Sequence, residues 1–169
     1  MALVGGNIQL NRGGLYAPSG QIELVSIAGS RTVALAKAGT NQRLSVPGEL
    51  ARADISMINN AIIDVTNPQG ESIAVTAQNL DLENSSPRIR TGVARGTSIL
   101  PSGNIYIDVV DRLSISTGGF INRVDSRTGV KSGVSGDINI TDSSIILRNE
   151  NVISPNVFAA CQRLKCTSG

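Results

Sequence analysis

The chain has 169 residues, 40% of them hydrophobic and 2% aromatic, and it contains neither His nor Trp. Fifteen Lys and Arg against thirteen Asp and Glu leave a net charge of +2 with the two signs interspersed, which argues against a nucleic-acid partner. Without His, the Ser-His-Asp and Cys-His catalytic arrangements and His-containing metal sites are excluded, and no sequence motif indicates a cofactor. No stretch approaches about 18 consecutive apolar residues, so we predict no membrane insertion.

Short segments of alternating apolar and polar residues begin at the start of the chain. Turn residues such as Gly13-Gly14 separate them, and period two combined with such turns predicts strands. The strand candidates of the first half lie within 7–27, 33–36, 44–46, 53–57 and 61–65, the second and third being the weakest. Eighteen Gly together with abundant Ile, Val and Leu therefore predict an all-β fold.

From Ile73 onward the alternation recurs every 32 or 33 residues, and the tetrapeptide Arg-Thr-Gly-Val occurs at both 90–93 and 127–130. Each repeat offers two apolar pairs and then a third apolar position. The opening pairs are Ile73/Val75, Ile105/Ile107 and Ile138/Ile140, the second pairs are Leu80/Leu82, Leu113/Ile115 and Ile145/Leu147, and the third positions are Ile89, Ile121 and Val152. The pattern extends toward the N-terminus, because Ile22/Leu24 precedes Ile55/Met57 by 33 residues.

Self-similarity at this period predicts a solenoid, because one unit cannot bury its apolar face and only stacked units complete a core. We expect equivalent strands to pair in parallel with their aliphatic side chains stacked in a dry interior. An antiparallel β-sandwich is the alternative, but it gives no reason for the period. The predicted core residues are Ile22, Ile55, Ile73, Val75, Leu80, Leu82, Ile105, Ile107, Leu113, Ile115, Ile138 and Ile140. The predicted units lie near 22–54, 55–72, 73–104, 105–137 and 138–153, within a repeat domain of residues 1–153.

The remaining residues, 154–169, are predicted to form a separate tail. Ser154-Pro155 is typical of a helix N-cap followed by Pro at the first helical position, and apolar residues follow at helical spacing. We predict a short helix over about 155–165 that covers the open end of the stack.

Gly-Asn-Ile and Gly-Asp-Ile tripeptides precede several of the predicted strands. Asn7, Asn104 and Asp137 are their central residues, and we expect all three at corresponding corners of the solenoid. A short amide or carboxylate there can hydrogen-bond to neighbouring backbone, so the predicted role is structural.

Two carboxylates are the best local candidates for catalysis. Asp108 and Asp111, with Arg112 beside them, could serve acid/base chemistry as in a polysaccharide lyase or hydrolase built on a β-helix. Asp108 lies on an alternating strand, however, and Asp111-Arg112 has the character of a polar turn. A solvated surface is therefore the favoured interpretation, and the chain is predicted not to be an enzyme.

Basic residues flank both copies of the Arg-Thr-Gly-Val tetrapeptide. They are Arg88, Arg90, Arg95, Arg123 and Arg127. Such a stripe could contact an anionic glycan, whereas a charged, solvated edge that resists sheet addition is the commoner purpose.

Several segments resemble filamentous haemagglutinin-like exoproteins of two-partner secretion systems, particularly the long cyanobacterial ones. Segments 3–10, 15–24 and 51–56 are similar to the stretch just after the secretion domain of that family, and 103–121 and 136–147 are similar to its filament repeats. The resemblance covers nearly everything up to about Val152. It implies a right-handed parallel β-helix, export through an outer-membrane β-barrel transporter, and an extracellular or cell-surface adhesin that has no active site.

This resemblance sets the expected partners and location. The leading prediction is a non-enzymatic structural and adhesive segment whose receptor is a host or cell-surface glycan or protein, with end-to-end self-association through exposed ends. The chain opens without a signal peptide and without the family's secretion domain, so we expect it to remain cytoplasmic if it is expressed alone. The tail from Ser154 onward has no counterpart in the family.

Overall fold

A computed structural model describes residues 1–18, 20–30, 32–38, 41–66, 71–93, 102–124, 135–149, 151–157 and 164–168. Within these ranges the chain is all-β and contains no helix, which confirms the predicted class. In chain order the strands are β1 (Ala2–Gly5), β2 (Ile8–Asn11), β3 (Gly14–Tyr16), β4 (Ile22–Ser26), β5 (Ala34–Ala38), β6 (Asn41–Ser45), β7 (Ile55–Ile58), β8 (Ile62–Asp64), β9 (Ile73–Glu83), β10 (Arg88–Val93), β11 (Ile105–Ile115), β12 (Gly118–Val124), β13 (Ile138–Asp142), β14 (Ile145–Leu147), β15 (Asn151–Val157) and β16 (Leu164–Ser168).

Most of these strands align in three columns of parallel pairs. The first column contains β1, β4, the first half of β9, the first half of β11, β13 and β16. The second contains β2, β7, the second halves of β9 and β11, and β14. The third contains β3, β8, β10, β12 and β15. The chain runs through the first, second and third columns in the same order each time, and one such run is a pass. Each pass therefore lies directly on the previous one.

The register within the first two columns confirms the predicted stacking from Ile73 onward. Ile105 pairs with Ile73 on one side and with Ile138 on the other. In the second column Leu113 lies between Leu80 and Ile145. Aliphatic side chains of successive passes therefore stack on one another. Each one that is fully buried contributes roughly 1.5–3 kcal/mol to the free energy of folding.

The third column corrects the predicted stacking by one residue. Ile89 pairs with Phe120, not with Ile121, and Phe120 in turn pairs with Ile153, not with Val152. Phe120 is fully buried, whereas Ile121 is only partly covered. Because side chains on a strand alternate between two faces, a one-residue difference decides which residue enters the core.

The N-terminal passes also differ from the prediction. Ile22 pairs with Ile73, whereas Ile55 belongs to the second column, between Ile8 and Leu80. The predicted units 22–54 and 55–72 therefore form a single pass, and the spacing of 33 residues between Ile22 and Ile55 is not a repeat.

An inserted hairpin accounts for the extra length of this pass. Strands β5 and β6 pair antiparallel and overlap the two weakest strand candidates of the sequence, 33–36 and 44–46. An antiparallel bridge between Ile27 and Arg52 closes the base of the insertion. The third strand of the pass, β8, then lies in register with β3 and β10, so the insertion leaves the columns intact.

The tail corrects both the domain boundary and the predicted helix. Pro155 lies within β15, which pairs with β12, and β16 pairs with β13 in the first column. Both ends of the predicted helix 155–165 are therefore strands, while residues 158–163 lie outside the described part of the chain. In the described ladder β15 pairs on one side alone, and an edge strand tolerates a Pro because its free side needs no ladder hydrogen bond.

Side chains from all three columns share one apolar core. All twelve predicted core residues belong to it, and Phe120 joins them. Thr91 and Asn122 are fully buried as well, and they occupy paired positions in the third column. Their polar atoms need partners in a dry interior, which the loops between passes supply.

Candidate functional surface

Buried polar side chains of the third column hydrogen-bond to the backbone just before the first-column strand of the same pass. The Thr91 hydroxyl donates to the carbonyl of Glu71, and Asn122 Nδ2 donates to the carbonyl of Gly103 at 2.8 Å, one pass later. Ser102 Oγ bonds to Asn122 Oδ1 and accepts the backbone N–H of Gly136 at 2.7 Å. These bonds set the distance between the third column and the first, and their role is structural.

Asn104 and Asp137 lie at the same corner of the first column, as predicted. Asn104 Oδ1 accepts the backbone N–H of Asp137 at 2.8 Å, and Ser72 Oγ accepts the N–H of Asn104 in the same way at 3.0 Å. Each side chain at this corner therefore holds the backbone of the next pass.

Asn7 lies at a different corner, which corrects the prediction that it shares the corner of Asn104. It precedes the second column, where Asn7 Oδ1 accepts the N–H of Asp54 at 3.2 Å. Asp54 Oδ1 in turn accepts from Asn79 Nδ2 at 2.7 Å. At this second corner one side chain holds the backbone of the next pass, and the following contact joins two side chains.

Of the two candidate catalytic carboxylates, Asp108 lies just before the register shift between Val109 and Arg112 in β11, and Asp111 lies within that shift. Asp108 Oδ2 is 2.8 Å from Arg52 Nη2, and Arg52 also donates to the Asp108 carbonyl at 3.0 Å. Asp111 instead accepts from the side chain of Gln78. Each carboxylate therefore has its own partner from a different strand or loop.

The structure adds an ion pair beside this region. Arg112 Nη2 lies 3.2 Å from Asp81 Oδ1, one pass below. Charged residues of neighbouring passes thus pair across the outer surface. The lyase or hydrolase hypothesis remains a prediction, to be tested by turnover of uronate polymers by the parent and by Asp108→Ala and Asp111→Ala variants.

Three of the five arginines of the predicted basic edge fall within the described residues. Arg88 and Arg90 lie on β10 and Arg123 on β12, all in the third column, whereas Arg95 and Arg127 lie outside the described residues. Arg88 is exposed, and Arg90 and Arg123 are partly covered. These three arginines therefore share one sheet, and their role as a ligand-contacting edge stays a prediction.

Asp64 on β8 neutralises one of these arginines. Arg90 donates to Asp64 Oδ2 through Nε at 3.0 Å and through Nη2, and the N–H of Thr66 donates to Asp64 Oδ1 at 2.8 Å. Burial alone would raise the pKa of Asp64, but these hydrogen bonds and the positive charge of Arg90 outweigh it and hold the pKa below its ordinary value. Asp64 therefore stays ionised and paired.

An exposed aromatic residue that the sequence pattern did not predict lies on the same sheet. Tyr16 is 60% exposed and pairs in register with Asp64. Its ring leans back across Gly14, since a Cβ placed on Gly14 would lie 2.2 Å from the ring carbon Cε2. Only the strand register shows that Tyr16 and the arginines share a surface, because they are more than seventy residues apart in sequence.

A shallow pocket lies beside Arg88 at the turn that leads into the third column. Asn60, Ala61, Ile62 and Ser86 line it together with Arg88. Asn60 and Ser86 both have positive φ, 63° and 56°, as expected of tight corners between short strands. No group of three or more His, Cys, Asp or Glu side chains suited to a metal ion occurs among the described residues, and none of their elements is a helix long enough to cross a membrane.

The chain is distantly similar to a bacterial protein. An uncharacterized protein of Rhizobium meliloti (strain 1021) is 28% identical over 153 residues, which cover 78% of this chain and 77% of that protein. No family model matches the chain, and no solved structure is similar to it.

Proposed function

We propose that the three columns are the faces of a right-handed parallel β-helix, and that the chain is a non-enzymatic structural and adhesive segment of a filamentous haemagglutinin-like exoprotein. The observation that carries the proposal is the order of pairing. The chain passes through the first, second and third columns repeatedly, always in parallel register with the previous pass. Right-handed crossing is the strong preference for parallel strands joined in this manner.

The arrangement of side chains supports a structural role. The interior is filled with aliphatic residues from every pass, and its buried polar groups bond to the backbone of the connecting loops. The residues that differ from pass to pass lie outside the core, on the outer faces of the strands and in the inserted hairpin. A rod of this kind offers long lateral surfaces for binding, with its core reserved for stability.

Adhesion and export complete the proposal. The parent protein would cross the outer membrane through a β-barrel transporter and act outside the cell or on its surface, where a cell-surface glycan or protein is the receptor. The similarity of 3–10, 15–24 and 103–121 to the exoprotein family supports this assignment.

Two experiments test the proposal separately. A density map of the purified chain should show parallel strands winding to the right, and a sandwich or a left-handed winding would refute the architecture. Beads that carry the folded chain should be retained on glycan-bearing cells more strongly than beads that carry the heat-unfolded chain. Equal retention of both would refute the adhesive role while leaving the architecture intact.

A further inference from the structure

One row of the third column combines an aromatic ring with an exposed arginine. Gly14, Ile62, Arg88 and Gly119 follow one another in register along this row. The ring of Tyr16 lies across Gly14, so it occupies the row position two strands from Arg88. Adjacent strands are about 4.8 Å apart, which places the ring over Gly14 roughly 10 Å from the backbone of Arg88. Gly119 has no side chain, so nothing from that position covers Arg88 on its other side.

The surroundings of Arg88 are suited to an anionic ligand that carries hydroxyl groups. Arg88 is exposed and borders the pocket formed with Asn60 and Ser86, whose side chains can donate and accept hydrogen bonds. Ile62 forms an apolar floor between the ring and the arginine. A planar guanidinium group binds carboxylate or sulfate oxygens in pairs, whereas an aromatic ring stacks on the apolar face of a sugar.

Charge on this sheet favours the same class of ligand. Its strands carry Arg88, Arg90 and Arg123 but a single acidic residue, Asp64. Because Arg90 and Asp64 pair with each other, the sheet retains a positive excess. An oxyanion that approaches Arg88 therefore meets no unpaired carboxylate on these strands.

We infer that the outer surface of the third column binds an acidic oligosaccharide, with one sugar stacked on Tyr16 and the carboxylate or sulfate of a nearby unit held by Arg88. Asn60 and Ser86 bond to hydroxyl groups of the unit at Arg88. The distance from ring to arginine requires an oligosaccharide, not a single sugar. This inference rests on the proposed adhesive function and assigns it a ligand class and a site.

The experiment measures binding of an oligogalacturonate of about four units to the whole chain by calorimetry or chemical-shift titration. A neutral oligosaccharide of equal length tests for charge, and a sulfated one distinguishes sulfate from carboxylate. Arg88→Gln should weaken binding about tenfold or more, as expected for the loss of a charge-assisted pair. Tyr16→Ala should weaken it several-fold, whereas Tyr16→Phe keeps the ring and should bind like the parent.

Arg112→Gln is the matched control, because it also removes one positive charge but lies on β11, in the second column. It should leave binding unchanged. Equal weakening by Arg112→Gln and Arg88→Gln would mean diffuse attraction to a basic protein and would overturn the inference, as would an absence of binding to every acidic probe at millimolar concentration. If beads coated with Arg88→Gln adhere to cells as well as the parent does, the adhesive function stands and this site fails.

Discussion

Replacement of Phe120 by Ala tests the register of the third column, and Ile121→Ala on the same strand is its matched control. Phe120 has no exposed surface and lies between Ile89 and Ile153, whereas Ile121 faces outward and is partly covered. A buried Phe removes about 200 Å² from water, worth about 5 kcal/mol at about 25 cal/mol per Å². Since Ala retains part of that burial, we expect Phe120→Ala to lower the free energy of unfolding by about 3–5 kcal/mol.

Ile121→Ala should cost about 1 kcal/mol or less, because both variants lose similar strand propensity but only one opens a cavity in the core. Urea unfolding followed by circular dichroism gives both values, and an unchanged slope against denaturant concentration would show that the same surface unfolds. A larger loss for Ile121→Ala than for Phe120→Ala would refute the register. It would place Ile121 in the core, as the spacing of apolar residues alone suggests.

Three further predictions concern a corner, a carboxylate and the insertion. Gly103→Ala should destabilise the chain by several kcal/mol in thermal unfolding, because the new Cβ would lie 2.2 Å from the backbone of the preceding pass. The control Gly48→Ala should be nearly neutral, because a Cβ on Gly48 would meet nothing within 4 Å. Asp64 has a lowered pKa in the folded chain, so its stabilising contribution is complete above the ordinary carboxyl pKa and is lost as the pH falls through the folded value. The variant Asp64→Asn should therefore show a smaller loss of unfolding free energy at acid pH than the parent. An equal loss in both proteins would contradict this. Arg52→Ala removes the ion pair with Asp108 and should speed proteolysis within the inserted hairpin several-fold. Asp108→Ala should give the same cleavage pattern. Cleavage of both variants at the parent rate would show that this pair does not anchor the insertion.

From Ile73 onward the sequence was sufficient in the first two columns, where each strand segment carries two aliphatic residues. Ile73/Val75 and Ile105/Ile107 define both a face and a register, because a pair at positions i and i+2 can enter the core in only one way. The third column was predicted from single positions, and there the spacing selected Ile121, whereas its neighbour Phe120 is the residue that enters the core. Pairing geometry decided between them, and no local pattern contains that information.

The repeat period does not predict an inserted hairpin or the structure of an edge strand, and the reason there is different. A solenoid accommodates a hairpin between two strands of one pass without moving the strands above and below it, so the spacing from Ile22 to Ile73 grows while their contact persists. The helical pattern after Ser154 is a weak local preference, and the strand that contains Pro155 gains a ladder with β12 instead. Tertiary pairing outweighs propensity in both segments.

The Gly-Asx-Ile tripeptide shows why one pattern can occupy two different corners. At the first column Gly136 is sterically required, because a Cβ there would lie 2.4 Å from Asn104 Oδ1, the atom that holds the N–H of Asp137. Gly6 precedes Asn7 at the second corner, but a Cβ on Gly6 would meet nothing within 4 Å. Glycine is therefore part of the backbone clamp at one corner and incidental at the other. Since sequence spacing records only the tripeptide, the equivalence of its copies has to be established from the pairing of the strands that follow.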